Sequence, residues 1–342
     1  MTRGIAVWFA VCALVLTAAC VRPAAAFRCA SSDQCSGGGV CQPTGFCSFD
    51  DSTCGSGQRY GAASGDLAGV CVGAEPDAPA PCDPTKPFGA PAPVEGLASS
   101  AEDASLRLSP DEKTAYFFSA RSGAKLLYTA TRQRVPGAFS NVSVLSNVNL
   151  GDQYNPAISA DGLTLFFASY RSTGIGNNDI YQATRPPMSN DFNNIRLAPN
   201  VNTAASEVQP YLTRDGTTLY FVRDIAGAQA VFRASGSATV GFANPGMVTE
   251  LHGATNDTDP VLSADGLTMF WGSDRPGGAG DVDVWQAQRT TPSGEFSQLA
   301  PVTPVNTAGF ESPSDISADG CRLYLTSIRD GRPGIWVATR PP

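Results

Sequence analysis

The sequence predicts an all-β protein: a five-bladed β-propeller, with six blades as the alternative, preceded by a small disulfide-rich module. Three observations lead there. A turn built on Ser/Thr-x-Asp recurs at Asp111, Asp161, Asp215, Asp265 and Asp319, about every 50 residues. Gly follows the Asp in four copies and Glu112 follows it in the first. Six cysteines crowd between Cys29 and Cys71, where aliphatic residues are scarce.

Composition narrows the function classes. The chain has 342 residues, a formal charge of −8, 42% hydrophobic and 16% charged residues. It is too apolar to be wholly disordered. The acidic balance argues against a nucleic-acid backbone binder. A single histidine, His252, leaves no basis for a His-rich metal site or a His-dependent hydrolase. No cofactor and no metal are expected.

The chain starts with Arg3 and an apolar run from Ile5 to Ala19, which reads as a secretory signal. Two cleavage readings stand. Ala24-x-Ala26 ends the signal at residue 26, whereas Thr17-Ala18-Ala19-Cys20 resembles a bacterial lipobox, ends it at residue 19 and leaves Cys20 lipidated. Either way the protein is exported, to the periplasm, the outer membrane as a lipoprotein, or the exterior. Membrane contact is expected only through that anchor, and the protein is expected to be a monomer.

Residues 27–73 form the expected module, with Cys29, Cys35, Cys41, Cys47, Cys54 and Cys71 in three disulfides. Six cysteines allow fifteen connectivities, among which sequence cannot choose. The absence of CxxC pairs argues against a metal knuckle. Residues 74–86, with Pro76, Pro79, Pro81 and Pro84, read as a stiff linker. The propeller occupies 87–342.

Each repeat reads as four strands. In the second copy these are Pro156–Ser159, Leu163–Ser169 and Asp179–Thr184, with the fourth strand represented by Val142–Val148 of the preceding copy. Asp-Gly between apolar runs is a hairpin signal, because Gly supplies the positive φ the turn needs. A hydrophobic pair follows each turn: Tyr116-Phe117, Phe166-Phe167, Tyr220-Phe221, Phe270-Trp271 and Tyr324-Leu325. An Arg column comes next, at Arg121, Arg171, Arg275 and Arg329; the third copy has Ile225 in the column and Arg223 two places earlier. Four-stranded units of this length in tandem are propeller blades. The segment Asn155–Arg171, ending in Asp179-Ile180-Tyr181, resembles the PD40 repeat, the WD40-like propeller repeat of the TolB family. The resemblance covers roughly residues 83–342 and implies the fold. Function is left open by it, since propellers host enzymes, receptors and scaffolds.

The fifth repeat stops after Ile335–Ala338, without a fourth strand, and Pro87–Leu97 resembles the missing one. The N-terminal strand is therefore expected to complete the last blade. That would bring Cys82 to the end of the blade that holds Cys321, and we expect these two to pair.

Acids recur near the start of each inner strand: Glu102/Asp103, Asp152, Glu207, Asp257/Asp259 and Glu311. Their periodicity favours ion pairs with the Arg column. A catalytic set would be asymmetric, as in the carboxylates that some five-bladed propellers resembling family-43 hydrolases hold in the central channel. Asn149, Asn202 and Asn306 form a further column, with His252 in the third copy, and are the candidate ligand-binding residues. Asn177-Asn178-Asp179 and Asp281-Val282-Asp283 lack calcium-loop spacing. The reading is a non-catalytic binding or scaffold protein of the bacterial envelope, recognising a protein or an envelope glycan. The alternatives are a propeller glycoside hydrolase and a purely structural lipoprotein.

Overall fold

The computed structural model describes residues 28–42, 45–54, 56–64, 68–69, 71–72, 82–187, 189–253 and 256–342. The signal segment, Cys20 and the first part of the linker lie outside these residues. Two compact units separate, one up to Pro76 and one from Asp77 to Pro342.

The first unit holds a three-stranded antiparallel sheet, β1 (Val40–Cys41), β2 (Cys47–Asp50) and β3 (Gln58–Tyr60). Its bridges are Cys29–Cys41, Cys35–Cys47 and Cys54–Cys71. With so few aliphatic side chains, the buried sulfurs and the Phe49 ring make the core. That ring leaves no room at Gly39 and Gly61, where a Cβ would come within 2.7 and 2.5 Å of it.

The second unit starts with the short β4 (Ala92–Pro93) and continues through five blades. Blade 1 is β5 (Asp103–Leu108), β6 (Thr114–Ser119), β7 (Leu126–Thr131) and β8 (Ser140–Val144). Blade 2 is β9 (Gln153–Ile158), β10 (Thr164–Ser169), β11 (Asp179–Thr184) and β12 (Asn193–Leu197). Blade 3 is β13 (Glu207–Leu212), β14 (Thr218–Ile225), β15 (Ala228–Ser237) and β16 (Gly241–Met247). Blade 4 is β17 (Asp257–Leu262), β18 (Thr268–Ser273), β19 (Asp283–Gln288) and β20 (Ser297–Pro301). Blade 5 is β21 (Glu311–Ile316), β22 (Arg322–Ser327), β23 (Gly334–Thr339) and, as its outer strand, β4.

The innermost strands β5, β9, β13, β17 and β21 each pack against the next, and β21 returns to β5, so the ring closes with five blades rather than six. Apolar side chains fill the spaces between adjacent blades. Phe166, Phe221 and Phe242 lie between blades 2 and 3, and Leu106, Phe117, Tyr324 and Ile335 between blades 1 and 5.

The recurring turn explains itself locally. In blade 2, Asp161 Oδ1 accepts hydrogen bonds from Ser159 Oγ (2.6 Å) and Leu163 N (2.9 Å), while Ser159 Oγ accepts from Thr164 N (2.9 Å). Gly162 has φ +71°, the left-handed region that a residue with Cβ seldom adopts. The fourth strands sit earlier than expected: β8 ends at Val144. Beyond it, Leu145 and Val148 turn inward to be buried, and the chain crosses to the next blade.

Closure of the ring differs from the expectation in extent. Ala92 and Pro93 pair with β23 in strand register, opposite Val337 and Trp336, and Gly89 N and Val94 N donate to Thr339 O and Ile335 O. Residues 82–86, the end of the expected linker, are tied to blade 5. Cys82 is bonded to Cys321 with Cα atoms 5.8 Å apart, Asp83 N donates to Pro341 O, and Phe88 is buried beneath the Arg340 guanidinium.

Candidate functional site

The end of the propeller bearing the links from one blade to the next and the turns between second and third strands is here the loop face. The opposite end, bearing the Ser/Thr-x-Asp turns, is the turn face.

On the loop face the acid and Arg columns meet inside each blade. Asp103 accepts from Arg121 Nη2 (2.8 Å), Ser119 Oγ (2.6 Å) and Ser99 N (2.7 Å). Glu207 accepts from Arg223 Nε at 2.7 Å, and Asp257 from Arg275 Nη2 at 2.8 Å and Trp271 Nε1 at 3.0 Å. Glu311 stands 3.6 Å from Arg329 Nη2 and accepts from Thr307 and Ser327. Each guanidinium also covers an aromatic ring of strand three, 4.5 Å from its centroid for Arg223 over Phe232. The shift of this Arg in the third copy follows from β14 running on to Ile225, which places Arg223 opposite Ala230 and within reach of Glu207. Blade 2 departs. Asp152 is exposed and accepts from Tyr154 Oη, and the column position is Gln153, whose amide donates to Ser169 Oγ at 3.2 Å.

The asparagine column also faces inward. Asn149 accepts from Leu127 N (2.9 Å) and donates to Leu127 O and Leu145 O. Asn202 makes the same three bonds with Ile180 and Ala198, and Asn306 bonds both backbone groups of Val284. All three residues, the ligand-binding candidates of the sequence, spend amide groups on backbone of their own blade. Their amides stitch the crossover to strand three, the use that short polar side chains find most readily. His252 stands apart, with Nδ1 3.4 Å from Asp257 and its side chain one-third exposed. Asp179 and Asp283 cap their own loops through Ile175 N and Ala279 N, both at 2.8 Å.

The asymmetry lies in the central channel. The third residue of four inner strands (Ser105, Asn155, Gln209 and Asp259) has positive φ at a bulge, and these side chains link across blades. Asn155 Nδ2 donates to Ser105 Oγ (2.9 Å), while Gln209 Nε2 and Ser312 Oγ donate to Asp259 Oδ2 (2.9 and 2.6 Å). Nearer the turn face, the fifth residues of the strands are Arg107, Ala157, Tyr211, Val261 and Asp315. Asp315 accepts from Leu108 N and Ile316 N at 2.8 Å each, Arg107 lies 5.5 Å from the Tyr211 ring centroid, and Tyr211 Oη donates to Leu262 O at 2.7 Å. Arg107 Nε is buried without a hydrogen-bond partner among the described residues.

Burial pushes the Asp259 carboxyl up to about 6, against the Ser312 hydrogen bond and the Arg107 charge; burial raises Asp315 as well. An acid whose pKa rises on folding holds its proton in the native state while the unfolded chain has lost it. Stability therefore falls as pH rises from about 4 through about 6, and the loss is complete above that. Asp259→Asn, with its amide oxygen in the Oδ2 position, is expected to stabilise the protein by about 1–3 kcal/mol at pH 7.5 and to change little at pH 4. Urea midpoints at the two pH values measure this; an equal shift at both would refute the assignment.

The cavity at the turn-face mouth of the channel, lined by Arg107, Tyr211, Arg214 and Asp315, is about 30 Å³. That is space for a water or two, far below the several hundred Å³ of a ligand pocket. Two grooves on the turn face are larger. One, of about 440 Å³, lies between the turns of blades 3 and 4 and shares Tyr211 and Arg214 with the channel mouth. The other, of about 780 Å³, lies between blades 4 and 5.

No family model and no curated protein matches the chain. Solved structures do. The catalytic domain of the Coprinopsis cinerea GH62 α-L-arabinofuranosidase matches with a TM-score of 0.51 and 12% identity, over 75% of this chain and 98% of that one. TolB from Acinetobacter baumannii matches with a TM-score of 0.47 and 19% identity over 72% of this chain, which spans 57% of that protein. The fold is a β-propeller. At these identities the likeness is one of fold, and the two proteins differ in what their names describe.

Sequence reasoning passed over a second Arg column, Arg132, Arg185, Arg289 and Arg340. Their Nε atoms donate to the carbonyl of the turn residue after Asp, at 2.7 Å in the first three and 3.0 Å in the last. Each guanidinium covers a Phe of the outer strand or its approach. The repeat alignment could have found it, but the spacing from the turn Asp varies with the lengths of the intervening loops.

Proposed function

We propose that this is a non-catalytic binding protein of the bacterial envelope, and that its ligand sits on the turn face. The contrast between the channel mouth, with room for about 30 Å³, and the groove beside it, with about 440 Å³, carries the reading. On the loop face, Asp103, Glu207, Asp257, Glu311, Asn149, Asn202 and Asn306 are engaged in hydrogen bonds within their blades. The four disulfides are those of an exported chain. Lipidation at Cys20 is part of this proposal, and the mass of the mature N-terminus tests it separately. Hydrogen exchange in the presence of solubilised envelope extract tests the site. Protection of the turns around Asp215 and Asp265, with none around Asn149 and Asn202, is expected; the reverse pattern would overturn the face assignment.

One observation favours a second reading, glycoside hydrolysis. Two channel carboxyls, Asp259 and Asp315, have raised pKa values, and a proton-holding carboxyl is what a general acid requires. Release of nitrophenol from an aryl α-L-arabinofuranoside, lost in Asp315→Asn, would establish it in place of the binding reading.

A further inference from the structure

We propose that the groove between blades 3 and 4 is a carboxylate-binding site for an acidic, extended peptide segment of a partner protein. This rests on the binding reading above and names the ligand chemistry. In a repeat protein the columns serve the fold, so the exceptions to them are where a specific site can be built. Two exceptions meet in this groove. The second turn position is Pro110, Ala160, Ala264 and Ala318 in the other blades but Arg214 in blade 3. The strand-three position opposite the first aromatic is neutral in the other blades (Thr129, Gln182, Gln286, Val337) but Arg233 in blade 3. Arg289, from the second Arg column of blade 4, completes the lining.

All three arginines have hydrogen-bonding capacity left. Arg214 donates from Nη2 to Ile316 O at 2.9 Å, but its Nε is buried without a partner. Arg289 is 7% exposed, uses Nε on Gly266 O, and has a buried, unpartnered Nη1. The Arg233 guanidinium is in no hydrogen bond or ion pair among the described residues. A buried N–H without an acceptor is costly, and an incoming carboxylate would supply two acceptor oxygens in the geometry that a guanidinium fork matches. The acids in the lining do not supply them. Asp215 spends both oxygens on Thr213 and Thr217, and Asp265 Oδ1 is held by Ser263 and Leu267. Those bonds hold both carboxyls below their usual pKa, against the desolvation that accompanies partial burial, so they remain ionised. The groove thus keeps three cations against two anions in a chain of net charge −8.

A uronate glycan has the same carboxylate, but the groove offers it no ring face to stack on. Its two aromatic residues, Tyr211 and Tyr220, are buried at 5% and 2% exposure, and Tyr211 Oη is taken by Leu262 O. What remains is Ser and Thr hydroxyls and Pro292, a surface suited to an extended backbone with charged side chains.

The probe is the peptide acetyl-Ser-Asp-Glu-Asp-Ser-amide, titrated by calorimetry into the full mature protein at low ionic strength. Saturable one-to-one binding is expected, weakening as salt is added. The variant Arg214→Ala/Arg233→Gln, which restores the residues of other blades, is expected to bind at least tenfold more weakly with an unchanged circular dichroism spectrum. The Asn/Gln version of the peptide should bind as weakly to the parent protein. Tetragalacturonate binding more tightly than the peptide, with the same Arg dependence, would overturn the peptide assignment. Absence of binding by either probe, or binding that the double variant retains, would overturn the site. If envelope extract still protects the turns in that case, the groove assignment fails and the binding reading survives; turnover of an aryl glycoside would remove both.

Discussion

Glu112→Ala is expected to cost the protein about 3–5 kcal/mol of stability, the range for leaving buried charges without their partner. Glu112 is the one residue that replaces Gly in the recurring turn, and it adopts φ +57° there. The strain of a left-handed residue, about 1 kcal/mol, is tolerated because the side chain reaches into the next blade. Its carboxylate accepts from Arg322 Nη2 (2.7 Å), Arg322 Nε (3.0 Å), Tyr324 Oη (2.6 Å) and Arg132 Nη2 (3.3 Å). Arg132 belongs to blade 1 and Arg322 to blade 5, so this one carboxylate joins the first blade to the last. Burial works against the charge on Arg322, and the Glu112 carboxylate outweighs it, holding the guanidinium above its usual pKa. Glu112→Gly separates the two contributions. It relieves the turn yet leaves Arg132 and Arg322 facing each other, so it should lose nearly as much as the Ala variant. Urea denaturation decides the matter, and a loss under 1 kcal/mol in both variants would show that the cluster does not hold the seam.

Removal of the Cys82–Cys321 bridge in the Cys82→Ser/Cys321→Ser protein is expected to cost about 4–5 kcal/mol, a chain-entropy figure for so long a loop. The two cysteines are 239 residues apart. The strand they secure is short: β4 pairs over two residues, with Gly89 N and Val94 N donating to Thr339 O and Ile335 O on either side, where β8 and β16 pair over three and five. Phe88, packed against Phe270 at 6.0 Å, and Asp83, bonded to Pro341, then hold the N-terminal segment in place without covalent help. The double variant is preferable to reductant, which would also open the three bridges of the first unit. A midpoint within error of the parent would mean that packing alone closes the propeller.

Much of the blade was legible because its determinants are local. Asp161, Ser159 and Thr164 bond within six residues, so five copies of their pattern announce five turns. The Arg column could be paired with an acid column for a similar reason, as the two occupy adjacent strands of one blade. Choosing between Asp257 and Asp259 was beyond such reasoning. They lie two residues apart on one strand, and by alternation should share a face. The bulge at Asp259 breaks that alternation, leaving Asp257 with Arg275 while Asp259 meets Gln209 and Ser312 of the neighbouring blades. The backbone bonds of the asparagine column are not legible either, because an exposed loop position and a backbone-stitching position look alike in sequence.

The sequence by itself determined the blade, its turn chemistry, the number of copies and the need for a borrowed strand, because each follows from contacts within a repeat or from counting repeats. The tertiary structure alone decided how Glu112 joins the seam, which side chains meet in the channel, and that Arg214, Arg233 and Arg289 share one groove. Asp259 with Ser312, Glu112 with Arg322, and Arg289 with the blade 3 arginines come together through the packing of blades around the ring, which juxtaposes positions 53 to 210 apart in ways that no local pattern encodes.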